Sequence, residues 1–154
     1  MSSTTLSWIR TPGAIQVFLF ALIVRFIVLL AIPAAPISGD ASDYDRLAHA
    51  IVNGEGYVSE TGQPTSMRPP LYSYVLAAFY RAFTDGPAAM RFFQAILDAV
   101  TCALVYGLTF RHFGIEAARI AGGLSIFSLS LLFATRHLLT ETFMAFFMVA
   151  IVCS

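Results

Sequence analysis

Residues 71–83 read LYSYVLAAFYRAF, and the arginines Arg68 and Arg81 bound the run. It is apolar, yet it falls short of the roughly 20 residues that a membrane-crossing helix needs. Whether it crosses decides the topology. If it spans, Asp40 and Glu141 fall on opposite sides of the membrane. If it lies in the interface, residues 34–87 form one long external loop, and the two acids emerge on the same side. The second arrangement satisfies the length rule. It also leaves Arg111, His112 and Arg119 around a short cytoplasmic turn, with Arg10 on the same side, as the positive-inside rule asks.

Composition sets the wider frame. The chain has 154 residues, of which 58% are hydrophobic and only 12% charged. A soluble domain of this size cannot hide so much apolar surface. Nine acids balance nine bases, so no basic field points to nucleic acid. Every base is arginine, which keeps its charge in a dry site and grips phosphate through two donors. Cys102 and Cys153 lie in apolar runs and read as small buried hydrophobes.

Three runs are long enough to span: 14–33, 88–110 and 117–135. The first exceeds the apolar core of a signal peptide and carries Arg25, so a retained span is expected. Another apolar run opens near Thr142 and is shorter than a span. It reads as a truncated span, and the chain as the N-terminal part of a larger membrane domain. The fold class expected is all-α, with polytopic transmembrane helices and a long external first loop carrying juxtamembrane amphipathic helices.

Two interfacial helices are expected in that loop, at about 41–53 and 70–84. In the first, Tyr44, Leu47, Ala48, Ile51 and Val52 follow the spacing of one helix face. Ser42 and Asp45 have capping-box spacing at its start, and Asn53-Gly54 is a stop. The next stretch, GEGYVSETGQPTS (54–66), is rich in turn residues. Pro69 and Pro70 then set an extended entry into the second helix. Tyr44, Tyr57, Tyr72 and Tyr74 read as an interfacial aromatic belt.

Two charges lie inside the spans. A charge at mid-bilayer costs at least about 2.5–3.5 kcal/mol on insertion scales, so each needs a partner. At 1.5 Å per residue, Arg25 and Asp98 lie roughly 12 and 15 Å below the outer ends of their spans. They are expected to pair.

The order of features has a counterpart. GDASDY (39–44) follows a span, then come NGEGY (53–57), RPPLYSYVLAAFYRAF (68–83), an arginine-led span and LLTETFMAFF (138–147). This resembles the N-terminal part of the GT-C superfamily of glycosyltransferases, closest to bacterial relatives of protein O-mannosyltransferases, aminoarabinose transferases and lipopolysaccharide-sugar transferases. The most specific feature is an acidic motif after the first span paired with a basic-Pro-Pro-Leu-Tyr element some 28 residues later.

The resemblance implies a polyprenyl-phosphate-dependent glycosyltransferase in the bacterial inner membrane with its active site facing outward. The donor would be a polyprenyl-phosphate-linked sugar and the acceptor a lipid or protein. Asp40 would act as catalytic base and Glu141 would join it from the next external loop. Arg68 would contact the donor phosphate, and Arg91 could reach the same group. A divalent metal held by Asp40 and Glu141 is a role the resemblance also admits, and no other cofactor is implied. Two positions depart from the pattern, because Ala41 and Met67 stand where some relatives carry acids.

Each residue also has a plainer reading. Asp40 could cap a helix, and Arg68 could snorkel at the interface. Asp43 and Asp45 read as solvated helix residues, and Arg136 and His137 as markers of the membrane edge. A non-catalytic membrane subunit or degenerate paralogue is the alternative function. A transporter is a further one, and it predicts interrupted spans; Gly122-Gly123 reads more simply as a close helix contact.

Overall fold

The computed structural model describes residues 11–34, 36–84 and 86–153. Arg10 and Ser154 lie outside the described residues. Six helices follow one another: α1 (Ala14–Ala31), α2 (Asp40–Val52), α3 (Pro70–Ala82), α4 (Gly86–Ile126), α5 (Leu129–Arg136) and α6 (Glu141–Cys153). Among the described residues there is no strand, only one isolated antiparallel bridge between Val58 and Pro64 in the loop after α2.

The 18-residue α1 inverts the pattern of a soluble helix. It buries Ala14, Ala21 and Arg25, while Ile15, Leu19, Ile23, Ile27 and Leu30 stand half or more exposed. A helix that hides its only charge and displays its aliphatic side chains is suited to lipid rather than water. Among the described residues, α1 and α4 are the two helices long and apolar enough to cross a membrane.

The 41-residue α4 is a helical hairpin. Gly114 has φ 82° and ψ −177°, a conformation essentially confined to glycine. The two arms, 86–113 and 115–126, fold back on each other there. Arg25 proves the reversal. It bonds both Asp98 and the carbonyl of Ser125, which lie about 27 residues, or roughly 40 Å of straight helix, apart. Near the bend, Tyr106 packs against Gly122, where an added methyl would meet its ring at 3.1 Å.

The expected span 117–135 is therefore not one helix. Its helical path stops at Ile126, breaks over Phe127 and Ser128, and resumes as α5. The physical reason is that Arg25 takes the Ser125 and Ile126 carbonyls, which a continuous helix would pair with later N–H groups. Gly122 does make the close contact expected of it, against Val17 and Tyr106, while Gly123 faces open space.

The path gives the bundle two ends. At one, Pro12 and Gly13 meet Tyr106, near Arg111, His112 and the bend at Gly114. At the other, Phe26 stacks edge-on to Phe92 at 5.4 Å and Phe143 of α6 meets Phe93 and Tyr72. The second end carries α2 and α3. The 13-residue α3 is roughly 20 Å long, against about 30 Å for a bilayer core.

Two local expectations are corrected. Gly39, not Ser42, precedes the first turn of α2, and no side-chain cap bond forms. The Ser42 hydroxyl instead donates to the Gly39 carbonyl at 2.6 Å, so the capping box is absent. Tyr44 and Tyr72 are core residues, 4% and 2% exposed, rather than members of an interfacial belt. They carry the apolar face of α2 onto α3, with Leu76, Met90, Leu138 and Phe143 beneath.

Candidate active site

Asp40 opens α2 behind Gly39, whose φ of 59° turns the chain sharply into the helix. A carboxylate in the first turn is favoured by the helix dipole. The carboxylate is not spent on capping, and its side chain is 61% exposed. Asp43 lies one turn on, on the same helix face.

Both acids meet Arg68. Arg68 donates from Nη2 to Asp40, and from Nη2 and Nε to Asp43 Oδ2 at 2.8 and 3.2 Å. The bonds to Asp43, and then to Asp40, push the guanidinium pKa up, so Arg68 stays cationic. Its placement is fixed from both sides. Pro69 and Pro70 start α3 immediately after it, and its carbonyl accepts the Tyr57 hydroxyl at 2.8 Å. Its guanidinium also lies 5.7 Å from the centre of the Tyr44 ring, within cation–π range.

Below Tyr44 the floor is aromatic and polar together. Tyr44 and Tyr72 meet edge to face at 5.0 Å, and the Tyr72 hydroxyl donates to Gln94 Oε1 at 3.3 Å. The Gln94 amide in turn donates to the carbonyls of His137 and Leu139 at 3.3 and 3.1 Å, tying the turn before α6 to α4. Glu141 stands exposed in the first turn of α6. Its charge acts on Tyr72, whose pKa is pushed up first by burial and then by neighbours that include Glu141. Asp40 and Glu141 thus stand at the same end of the bundle. The route between them runs through Arg68, Tyr44 and Tyr72.

Arg91 sits in α4 at the same end. Its Nε donates to the Arg136 carbonyl at 3.0 Å, and Arg136 Nη2 reaches back to the Pro33 carbonyl at 2.5 Å. Deeper in the bundle, Arg25 Nε donates to Asp98 Oδ2 at 2.6 Å, both side chains being fully buried. Arg25 also bonds the Ile126 carbonyl at 2.8 Å and the Cys102 sulfur at 3.2 Å.

The donor set does not fit a resident metal. Among the described residues no three His, Cys, Asp or Glu side chains converge. Asp40 and Asp43 both already bond Arg68, so a cation at either carboxylate would have to compete with the guanidinium for it. The sequence reading missed Asp43 as a partner of Arg68. The signal was present in the three-residue spacing from Asp40. It also missed Gln94, which is silent in sequence because its partners are backbone carbonyls some 40 residues away.

A family model described as dolichyl-phosphate-mannose-protein mannosyltransferase matches residues 67–154. The matched stretch opens beside Arg68 and includes Arg91, Asp98 and Glu141. No curated protein and no solved structure matches the chain.

Proposed function

The chain belongs to the dolichyl-phosphate-mannose-protein mannosyltransferase family, a family of membrane glycosyltransferases, and from that premise we propose that it moves a sugar from a polyprenyl phosphate to an acceptor at the external face. The observation that carries this reading is the arrangement at one end of the bundle. Asp40 is exposed and held by Arg68, with Asp43 as counter-anchor.

The chemistry needs a base and a cation. An acceptor hydroxyl attacks the anomeric carbon, and its proton passes to Asp40. The bond from that carbon to the phosphate oxygen breaks, and its electron pair leaves with the polyprenyl phosphate. Arg68 and Arg91, at the same end of the bundle, would supply the positive charge for the phosphate that leaves. Glu141 would orient the acceptor from the other side of Tyr72. An outward site is supported by Arg111, His112 and Arg119 around the Gly114 bend, since a short cytoplasmic turn carries such charge. The shortness of α3 supports its lying in the interface.

The test is Asp40→Asn, assayed by transfer of labelled sugar in membranes that contain equal amounts of each protein. Loss of a general base should cost about 10²–10⁴-fold in rate. Activity within threefold of the parent would refute the base role. A non-catalytic subunit is the alternative favoured by the neutral Ala41 and Met67. It predicts the same glycan output with either residue at position 40.

A further inference from the structure

Between α2 and α3 the chain makes a short hairpin. The Thr65 N–H donates to the Tyr57 carbonyl at 3.2 Å, and the Ser59 N–H to the Gln63 carbonyl at 2.7 Å. Residues 60–62 make the turn. Gly62 closes it with φ 74°, the left-handed position of a three-residue hairpin loop.

The hairpin is bonded to both helices that build the site. From α2, Arg46 Nη1 donates to the Val58 carbonyl at 3.2 Å. Toward α3, the Tyr57 hydroxyl donates to the Arg68 carbonyl at 2.8 Å, and the Tyr57 ring stacks on Tyr74 at 6.1 Å, 13° from parallel. Arg68 then returns to α2 through Asp40 and Asp43. The circuit starts and ends on one helix. We propose that Arg46 and Tyr57 are positioning residues of the transfer reaction, which hold the Arg68 guanidinium against Asp40 through this hairpin. The proposal deepens the glycosyltransferase reading above and rests on it for what Asp40 does.

Apolar packing does not set this register. Helix α2 meets α3 through Tyr44, Ala48, Tyr72, Leu76 and Ala77, and apolar burial is non-directional. Hydrogen bonds have strict lengths and angles, so the circuit fixes Arg68. An arginine side chain has many rotamers, and anchoring its backbone from behind narrows where the guanidinium can go. Asp43 accepts from two nitrogens of Arg68 and Asp40 from one. When Arg68 loosens, the single bond to Asp40 is the first to be lost. A base must stay within hydrogen-bond reach of the proton that it takes. Surface charge does not account for Arg46. Its pair with Glu60 is 3.7 Å long and Glu60 is 81% exposed, a contact worth little.

The test reads the Asp40 carboxylate directly, by carbodiimide labelling of the full chain in nanodiscs with glycine ethyl ester, followed by mass spectrometry. A lost neutral hydrogen bond corresponds to about 2–10-fold. Tyr57→Phe keeps the stack on Tyr74 and should speed labelling of Asp40 by that factor. Arg46→Gln should do the same. Arg46→Lys, whose ammonium can still donate to Val58, should recover most of the parent's protection, and Glu60→Gln should match the parent. Glu116, exposed in the second arm of α4, should label at one rate in every variant. In the transfer assay Tyr57→Phe and Arg46→Gln should lower kcat about 2–10-fold with KM unchanged, since neither side chain is placed on a substrate. The proposal is overturned if Asp40 labels in both variants as it does in the parent. Equal acceleration at Glu116 would make the hairpin a stability element only and overturn it as well. Acceleration confined to Asp40, in a parent that transfers no sugar, would sink the glycosyltransferase reading while the hold of the hairpin on Asp40 stands.

Discussion

Arg25 does two things at once, and a pair of variants separates them. It neutralises Asp98 at 2.6 Å, and it caps the interrupted helix by donating to the Ile126 and Ser125 carbonyls at 2.8 and 3.2 Å. Arg25→Met removes both. It leaves Asp98 buried without its counter-charge, which costs about 3–5 kcal/mol in buried pairs. It also strands two carbonyls at the break, at about 1–3 kcal/mol each. The double variant Arg25→Met with Asp98→Leu removes the unpaired charge and leaves the stranded carbonyls. Replacing an ion pair by apolar side chains is often neutral or stabilising. The double variant should therefore recover about 3–5 kcal/mol over the single, yet remain about 2–6 kcal/mol below the parent. A charge swap, Arg25→Asp with Asp98→Arg, should likewise recover only part, since an aspartate at position 25 cannot donate to the carbonyls. Unfolding free energies by steric trapping in bicelles would read these differences. If the apolar double variant matches the parent, the capping role is wrong and the ion pair alone explains Arg25.

Three further outcomes follow from the geometry. Gly114→Ala should destabilise the hairpin by about 1–3 kcal/mol, the cost of a side chain in that backbone region; nothing lies near enough to clash, so thermal unfolding reads backbone strain alone. The Tyr72 phenol, raised by burial, should stay protonated past about pH 10, where an exposed tyrosine ionises; a UV titration of the parent against Tyr72→Phe reads this. Because its folded pKa is raised, the stability it contributes is present below that pH and is lost above it. Gln94→Leu should strand the His137 and Leu139 carbonyls and loosen the start of α6 by about 1–3 kcal/mol per carbonyl, measured as faster hydrogen exchange at Thr142 and Phe143.

Periodicity and length are local properties, and the sequence carries them in full. The 58% hydrophobic content, the apolar face of residues 44–52 and the brevity of 71–83 are all legible without coordinates. So is the similar depth of Arg25 and Asp98, because 1.5 Å per residue is a fixed rise. What one chain position does to another many residues away is not written in either neighbourhood. Gly114 looks like any glycine until the hairpin puts it at a bend with φ 82°. The 117–135 run is uniformly apolar, so nothing in it announces a break that Arg25, about 100 residues earlier, sustains from another helix. Arg68 reads in sequence as a phosphate ligand or a snorkelling cation, and only the packing of α2 on α3 shows that Asp43 and Asp40 share it. The same distance in sequence hid the bond from Arg136 to the Pro33 carbonyl, which forms only when α5 is packed beside the end of α1. Sequence settled which segments are helical and apolar, since each residue's transfer from water is its own. Tertiary structure alone decided which charges meet, since an electrostatic energy belongs to a pair.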